Sequence, residues 1–428
     1  MTVLERFGEW AAVDLPAGQA DRLSEHVLDT VGAWLAGSAT QDGGALARLQ
    51  GDLSPERPLD RLSRRVGQTR LTEIDDIHLP SCTTPGSVVV TTALAMLPVG
   101  ARAQDFAAAL RAGYGAMTWL SGMVAGAHVF YRGIWPTYYV TPVGAAAVMA
   151  RLLGLDARQT ADALAIALTA SSPGIGAPDG LTPRWLLIGE AARLGCRAAM
   201  AAAGGYSGDR SLLDGDWTAR VHGLAIDPAA PAQPPPDGGV SALSMKPICA
   251  ARQTQATIAA FRHLLQGGIA PGAIERVLVT VPPNFVGLID HARTDSRMGR
   301  ITSIAYLLGL AAYHPEALEE VAREVLLPFP PLSVTVSADP AMDAYYPRSW
   351  PARVELLLKT GQRVAHTVID APGDPVDPLS PVALRAKFHR LARQRLDAEA
   401  IEVWERACLA STTDDAALAT LFGLMQGW

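Results

Sequence analysis

The sequence predicts a mainly α-helical protein with a large, discontinuous all-helical domain and a smaller α+β domain. Up to about residue 225, apolar residues recur at three- and four-residue spacing, as in amphipathic helices. The stretch 227–239 (DPAAPAQPPPDGG) is rich in proline and predicts a linker, because proline disfavours both helix and sheet interiors. After it come β-branched runs, and from Pro381 onward the helical pattern returns.

The helical part is predicted from stripes of apolar side chains. Residues 21–38 place Leu23, Val27 and Val31 on one face, which indicates an amphipathic helix. Pro183 is suited to the first turn of a helix, where its missing N–H costs little. The same Ala-rich periodicity predicts further helices at residues 105–125, 142–153, 158–169 and 184–204.

The α+β part is predicted from short β-branched runs at residues 275–281, 332–337, 353–358 and 363–369. Thr360-Gly361 between the last two runs is typical of a β-hairpin turn. Helices are expected between the strands at residues 254–265 and 303–313, and again at the end of the chain. We therefore expect residues 1–238 and 388–428 to form the helical domain and residues 241–387 to form the α+β domain.

Composition excludes several classes of protein. The chain has 428 residues, a net charge of −6 and only 18% charged residues. This composition excludes a disordered or coiled-coil protein. No basic run could neutralise phosphates, which predicts no nucleic-acid partner. Glu5, Arg6 and Glu9 interrupt any signal-peptide core, and no apolar run is long enough for a membrane span. A cytoplasmic protein without a membrane partner is expected.

Metal and nucleotide sites are not predicted. The four cysteines, at positions 82, 196, 249 and 408, show no Cys/His metal spacing and are expected to be small buried hydrophobes. Gly174-Ile175-Gly176 lacks the preceding strand of a dinucleotide fingerprint, so it predicts a turn between helices. We expect neither a metal nor a cofactor.

The densest polar chemistry lies in residues 71–87 (LTEIDDIHLPSCTTPGS), which contain Glu73, Asp75, Asp76 and His78. If this segment starts as a helix, Asp75 and His78 share a face. A carboxylate beside an imidazole can orient it for proton transfer. The alternative is a plain helix start, with Thr72 as the N-cap and the acids favouring the helix dipole.

A second candidate follows the linker. Lysine occurs only at Lys246, Lys359 and Lys387, so Lys246 and the nearby Arg252 attract attention. The arginine fork and the lysine point charge could together hold a carboxylate. The alternative is that both serve only surface solubility.

Taken in order, these segments resemble the MmgE/PrpD family, which includes 2-methylcitrate dehydratase, cis-aconitate decarboxylase and an iminodisuccinate epimerase. The resemblance covers nearly the full chain. It is carried by 75–78 with 85–87 (DDTH…HPS in the family), 132–137 (RGFHPT), 246–254 (KPYPxCRxTH) and 373–375 (GDP). It implies a helical domain with an α+β lid, a homodimer, and a cofactor-free site between the domains.

The sequence departs from the family pattern at several site positions. Thr84 and Trp135 stand where the family has histidines, and Arg184 stands where it has a pocket lysine. Downstream of the KP motif, histidines become Ala251 and Gln255. An acid before the Asp pair is present as Glu73, and the family tyrosine falls at Ala305 or Tyr306. The resemblance therefore implies two sets of site residues: catalytic Glu73, Asp76, His78 and Lys246, and substrate-binding Thr84, Trp135, Arg184, Arg252, Gln255 and Tyr306.

These exchanges bear on function because they remove titrating groups and enlarge the apolar wall. We expect a cofactor-independent isomerase, lyase or cyclase acting on a bulky, weakly charged specialised metabolite of polyketide type, as in antibiotic biosynthesis. One alternative is a conventional polycarboxylate dehydratase, decarboxylase or epimerase. The other is a non-catalytic binding protein that keeps the fold.

Overall fold

The computed structural model describes residues 1–13, 15, 18–51, 57–174, 183–321 and 326–427. These residues form two compact units. The first comprises 1–174, 183–243 and 381–427, and the second comprises 244–321 and 326–380. The predicted turn at Gly174-Ile175-Gly176 lies, apart from its first residue, outside the described residues.

The described chain is mainly helical, as predicted, with the longer strands confined to the second unit. In chain order the helices are α1 (Val3–Ala12), α2 (Ala20–Ser38), α3 (Gln41–Gly51), α4 (Pro58–Arg70), α5 (Gly86–Ala95), α6 (Ala103–Met123), α7 (Gly126–Val129), α8 (Pro136–Leu152), α9 (Ala157–Thr169), α10 (Arg184–Ala203), α11 (Trp217–His222), α12 (Arg252–Gln266), α13 (Pro283–Ile289), α14 (Arg297–Thr302), α15 (Ile304–Tyr313), α16 (Pro381–Ala392), α17 (Ala398–Ala410) and α18 (Asp415–Gln426). The strands are β1 (Ile77–His78), β2 (Leu243–Ser244), β3 (Ile274–Val281), β4 (Val334–Ala338), β5 (Ala352–Leu358) and β6 (Arg363–Val368).

Small residues set the helix packing of the first unit. A Cβ on Gly195 of α10 would lie 2.1 Å from the carbonyl oxygen of Pro142 in α8, so the two backbones approach as closely as glycine permits. The sequence predicted that α8 starts near residue 142, but it begins at Pro136 and continues through Pro142. Pro136 occupies the first turn, where proline is favoured, so the helix begins six residues earlier than predicted.

Helix α16 belongs to the first unit because Lys387 anchors it there. Its Nζ lies 2.5 Å from Asp29 Oδ1 on α2 and donates to the carbonyl of Ile74 over 2.8 Å. Phe388, next in the chain, packs against Gly32 of the same helix. The sequence placed the domain change at residues 387/388, whereas the units change at 380/381, ahead of the helix.

The second unit is built on a four-stranded sheet of order β4-β3-β5-β6. Strand β3 pairs parallel with β4 and antiparallel with β5, and β5 pairs antiparallel with β6 through the predicted hairpin. Gly361 in that turn has φ +83°, the left-handed conformation that glycine adopts without cost. Val277, Val279 and Val281 of β3 are buried and alternate onto one face of the sheet, and α12 packs on β5 and β6.

Two further observations concern the described residues as a whole. No helix among them combines the length and the hydrophobicity that crossing a bilayer requires. All four cysteines are buried, as expected of small apolar residues in a core.

Candidate active site

The polar segment between α4 and α5 is an irregular loop. Helix α4 ends at Arg70 and α5 begins only at Gly86, so both helical interpretations of the segment are wrong. The N–H of His78 instead donates to the carbonyl of Thr83 over 2.7 Å, closing a tight turn. Glu73 (φ +57°) and Cys82 (φ +53°) both adopt the left-handed conformation, which is unfavourable for side chains with a Cβ. Such strain concentrates at functional sites.

Glu73 lies at the partly open side of this loop and is paired with Arg70. Arg70 Nη2 lies 2.9 Å from Glu73 Oε1, and Nη1 lies 3.2 Å from Asp75 Oδ1. The Glu73 side chain keeps 12% of its surface exposed, whereas Asp75 keeps none. Burial acts to lower the pKa of Arg70, but the two carboxylates outweigh it and raise that pKa. The loop thus holds one reachable carboxylate beside a permanently charged guanidinium.

Two tryptophans and a second arginine adjoin this ion pair. The guanidinium carbon of Arg184 lies 5.1 Å from the ring centroid of Trp135, and that of Arg70 lies 5.7 Å from the same ring. Trp185 packs edge-on against Trp135, with centroids 6.1 Å apart. Both arginines are therefore within cation–π range of one indole. Burial lowers the pKa of Arg184, and the charge of Glu73 opposes that shift. We call Arg70, Glu73, Trp135, Arg184 and Trp185 the aromatic–guanidinium cluster.

Thr84 connects the loop to the helix that carries Trp135. Its N–H donates to Thr137 Oγ1 over 3.1 Å, and the two hydroxyl oxygens are 3.2 Å apart. Thr137 lies in the first turn of α8, two residues after Trp135. The pair fixes the position of the indole relative to the loop.

Asp76, three residues after Glu73, lies in a different environment. Its Oδ2 is 3.0 Å from His26 Nδ1 and accepts from the Tyr114 hydroxyl over 3.0 Å. Its Oδ1 accepts from the Gly86 N–H over 2.8 Å. A Cβ on Gly86 would lie 2.7 Å from that oxygen, so only glycine fits there. Asp76, His26, Tyr114 and Gly86 form what we call the Asp76 network, and both carboxylate oxygens are engaged within it.

His78 is half-buried and hydrogen-bonded within the loop. Its Nδ1 lies 2.8 Å from Ser81 Oγ, which in turn lies 2.7 Å from Thr83 Oγ1. Burial lowers the pKa of His78 to about 4, although the charges of Asp237 and Asp76 favour the protonated form. The imidazole is therefore neutral near pH 7, and it is a weak base.

The remaining predicted site residues lie in the second unit. Lys246 is buried, with 2% of its surface exposed, and the N–H of the preceding Met245 donates to the carbonyl of Gly373 over 2.9 Å. Tyr306 is also buried, and its ring packs 5.6 Å from that of Phe329. Among the described residues its hydroxyl has no hydrogen-bond partner, which is unusual for a buried polar group.

Arg252 and Gln255 are engaged in holding the segment that follows Lys246. Arg252 Nη2 lies 2.5 Å from Asp374 Oδ2, in the GDP turn. Gln255 Nε2 donates to the carbonyls of Ile248 and Ala250, each over 3.1 Å. These contacts give both side chains a positioning role, and their predicted part in binding substrate stays a prediction.

In the first unit the structure brings Glu73, Trp135 and Arg184 into one cluster and ties Thr84 to it. Sequence reasoning missed Arg70 and Trp185 in that cluster, and His26 and Tyr114 in the Asp76 network. Position alone gave a signal for two of them, because Arg70 precedes the acidic run and Trp185 adjoins Arg184. In the described part of the chain, no group of three or more His, Cys, Asp or Glu side chains could hold a metal ion.

Two protein-family models match the sequence. The model described as the MmgE/PrpD N-terminal domain matches residues 67–223, and the model described as the MmgE/PrpD C-terminal domain matches residues 249–410. The first match contains the whole aromatic–guanidinium cluster, and the two together cover most of the chain. The sequence matches no curated protein.

Proposed function

Because the chain belongs to the MmgE/PrpD family, whose members are dehydratase- and decarboxylase-like lyases, we propose that it is a cofactor-independent lyase or isomerase with an altered substrate class. The observation that carries this proposal is the aromatic–guanidinium cluster. It combines one accessible carboxylate, Glu73, with two guanidiniums and two indoles in the first unit.

The cluster contains the groups that an elimination next to a carbonyl requires. Glu73 acts as the base that removes a proton from the carbon beside the carbonyl. Arg184 donates to the carbonyl oxygen as negative charge develops there. The electron pair of the broken C–H bond forms the C=C bond and the C–O bond to the β-hydroxyl breaks. The hydroxyl leaves as water with the proton that Glu73 has taken up, which returns Glu73 to its carboxylate form. Proton return to the opposite face instead would give an isomerase.

The indoles decide the proposed substrate class. Trp135 and Trp185 add two large apolar rings to the surroundings of Glu73, and both are more than nine-tenths buried. A tricarboxylate bound at Glu73 would bring its charges into these apolar surroundings, whereas an apolar chain would not. We therefore propose a bulky, weakly charged substrate, a specialised metabolite of polyketide type. The family pattern also leads us to propose a homodimer, which light scattering on the purified protein tests.

Arginine also binds carboxylates, and this favours one competing proposal. Both Nη atoms of Arg70 already contact carboxylates, but the Arg184 guanidinium, whose carbon lies 5.1 Å from the Trp135 ring centroid, could hold a substrate carboxylate by its fork. The chain would then be a conventional polycarboxylate dehydratase, decarboxylase or epimerase. The third possibility, a non-catalytic binding protein, draws on the weak basicity of His78.

The test compares two substrate panels by proton NMR. The first contains 2-methylcitrate, cis-aconitate and iminodisuccinate, and the second contains neutral β-hydroxy ketones with apolar chains of increasing length. We expect turnover only in the second panel. The substitution Glu73→Gln should lower kcat by about 100-fold or more, the usual contribution of a general base.

Glu9→Gln is the matched control, since Glu9 is an exposed acid on α1 in the same unit. It should leave turnover unchanged. Turnover of any of the three polycarboxylates would contradict the proposed substrate class. Tight binding of the ketones without turnover would contradict the proposed enzymatic activity and favour a non-catalytic binding protein.

A further inference from the structure

The second unit contains a cleft that none of the proposed catalytic residues lines, although Gln255, predicted above to bind substrate, forms part of its wall. Its volume is about 410 Å³, within the usual range for small-molecule sites. One wall is a face of α12, with Ile258, Arg262 and His263 among its residues. The opposite wall is β6 and the segment that follows it, including His366 and Asp370.

The chain runs in opposite directions along the two walls, so each end of the cleft can be matched to one end of α12. The imidazole of His366 stacks on that of His263 near the end of α12, with centroids 3.8 Å apart and planes at 18°. Further along, Asp374 pairs with Arg252 at the first residue of α12. The chain from His366 to Asp374 therefore follows the helix backwards, from its C-terminal end to its N-terminal end.

Basic and acidic side chains consequently lie at opposite ends. Arg262, His263 and His366 lie near the C-terminal end of α12. Asp370 and Asp377 lie toward its N-terminal end, because the N–H of Asp377 donates to the carbonyl of Asp374 over 2.9 Å. Gln255 and His263, eight residues apart on the wall, are separated by about 12 Å along the helix axis.

These charged groups are not engaged with one another. Across the described ranges, the Arg262 guanidinium and the Asp370 and Asp377 carboxylates have neither a hydrogen bond nor an ion pair. The imidazole nitrogens of His263 and His366 likewise have no hydrogen-bond partner among the described residues. Between the two ends the lining is apolar, with Ile248, Ile258 and Val368. The cleft thus offers a guanidinium and two imidazoles at one end, two carboxylates at the other, and an apolar middle.

We propose that this cleft is a second ligand site, for an elongated small molecule with a carboxylate at one end, an amine at the other and an apolar chain between them. The carboxylate pairs with Arg262 and accepts a hydrogen bond from the histidine pair, and the ammonium pairs with Asp370 and Asp377. Ile248 belongs to the segment directly after Lys246, so the ligand would also rest on that segment.

The test uses three probes with the same eight-carbon skeleton: 8-aminooctanoate, octanoate and octylamine. Calorimetric titration of the full chain should show 8-aminooctanoate binding at least about 10-fold tighter than either singly charged probe, a difference of about 1.4 kcal/mol. Arg262→Gln should reduce 8-aminooctanoate to the level of octylamine, and Asp370→Asn should reduce it to the level of octanoate.

Arg276→Gln is the matched control, because Arg276 is exposed on β3 of the same sheet and lines no part of the cleft. It should leave all three affinities unchanged. Equal binding of 8-aminooctanoate and octanoate, or no binding of 8-aminooctanoate, would overturn the proposal. The readout is binding and not turnover, so its failure would leave the proposed lyase unaffected, and the reverse also holds.

Discussion

Glu73 and Asp76 lie three residues apart in one loop, yet their surroundings are opposite. Asp76 is fully buried and gives both oxygens to His26, Tyr114 and Gly86. Glu73 is partly exposed, sits in a left-handed backbone conformation and faces a cluster of arginines and indoles. The fold thus encloses the Asp76 carboxylate and leaves the Glu73 carboxylate partly accessible.

The difference indicates a division of labour within the loop. A buried carboxylate with partners on both oxygens is poorly placed to take a proton from a substrate without losing some of those contacts. The Asp76 network therefore holds the loop, and the strained Glu73 is the group the loop presents. We expect substitutions in the Asp76 network to lower the free energy of unfolding, and substitutions of Glu73 to lower the catalytic activity.

The largest effect should come from Asp76→Ala. It would leave His26, the Tyr114 hydroxyl and the Gly86 N–H buried without their partner, and three unpaired buried polar groups together cost about 3 kcal/mol or more. The free energy of unfolding in urea measures this loss. Asp105→Ala is the control, since its pair with Arg102 is exposed and should contribute about 1 kcal/mol or less. Similar losses in both variants would contradict the closed network.

The fold was largely predictable because it follows from periodicity. The strand at residues 275–281 and the helix at residues 184–204 were each predicted within a residue of the observed bounds. Periodicity reports local burial, however, and says little about which unit a helix joins. The position of α16 depends on Lys387 reaching Asp29, more than three hundred residues earlier in the chain.

The site was predictable only in part, for the same reason. Residue types identified Glu73 and His78 as chemically capable, and comparison with the family pattern added Trp135 and Arg184. The contacts of Arg70 with Trp135 and of Asp76 with Tyr114 join residues distant in sequence, so no local pattern contains them. The left-handed backbone conformation of Glu73 could not be predicted either, because glutamate as a residue type does not indicate that conformation.

The next effect concerns His78 and depends on pH. Its pKa in the folded protein is about 4, below the value of about 6.5 in an unfolded chain, so the unfolded state binds the proton first. This contribution to stability is fully present above about pH 6.5 and is lost as pH falls towards 4, by up to about 3 kcal/mol. Urea unfolding at several pH values should show a shallower acid dependence for His78→Gln than for the wild type.

Replacing the exposed His128→Gln provides the control for this measurement, and it should leave the acid dependence unchanged. An unaltered slope in His78→Gln would mean that folding does not lower the pKa of the imidazole. His78 would then belong with Glu73 among the groups able to exchange protons near neutral pH.

The smallest effect is the sharpest test of the contrast between the two acids. At Glu73, where φ is +57°, glycine avoids the penalty that any Cβ incurs, so Glu73→Gly should be about 1 kcal/mol more stable than Glu73→Ala. Both variants should lose turnover, since both lack the carboxylate. Ala125→Gly, at φ +52° away from the cluster, should gain about the same stability and keep its activity. If Glu73→Ala matched the glycine variant in stability, the left-handed backbone would store no strain, and the presentation of Glu73 would depend on its ion pair with Arg70 alone.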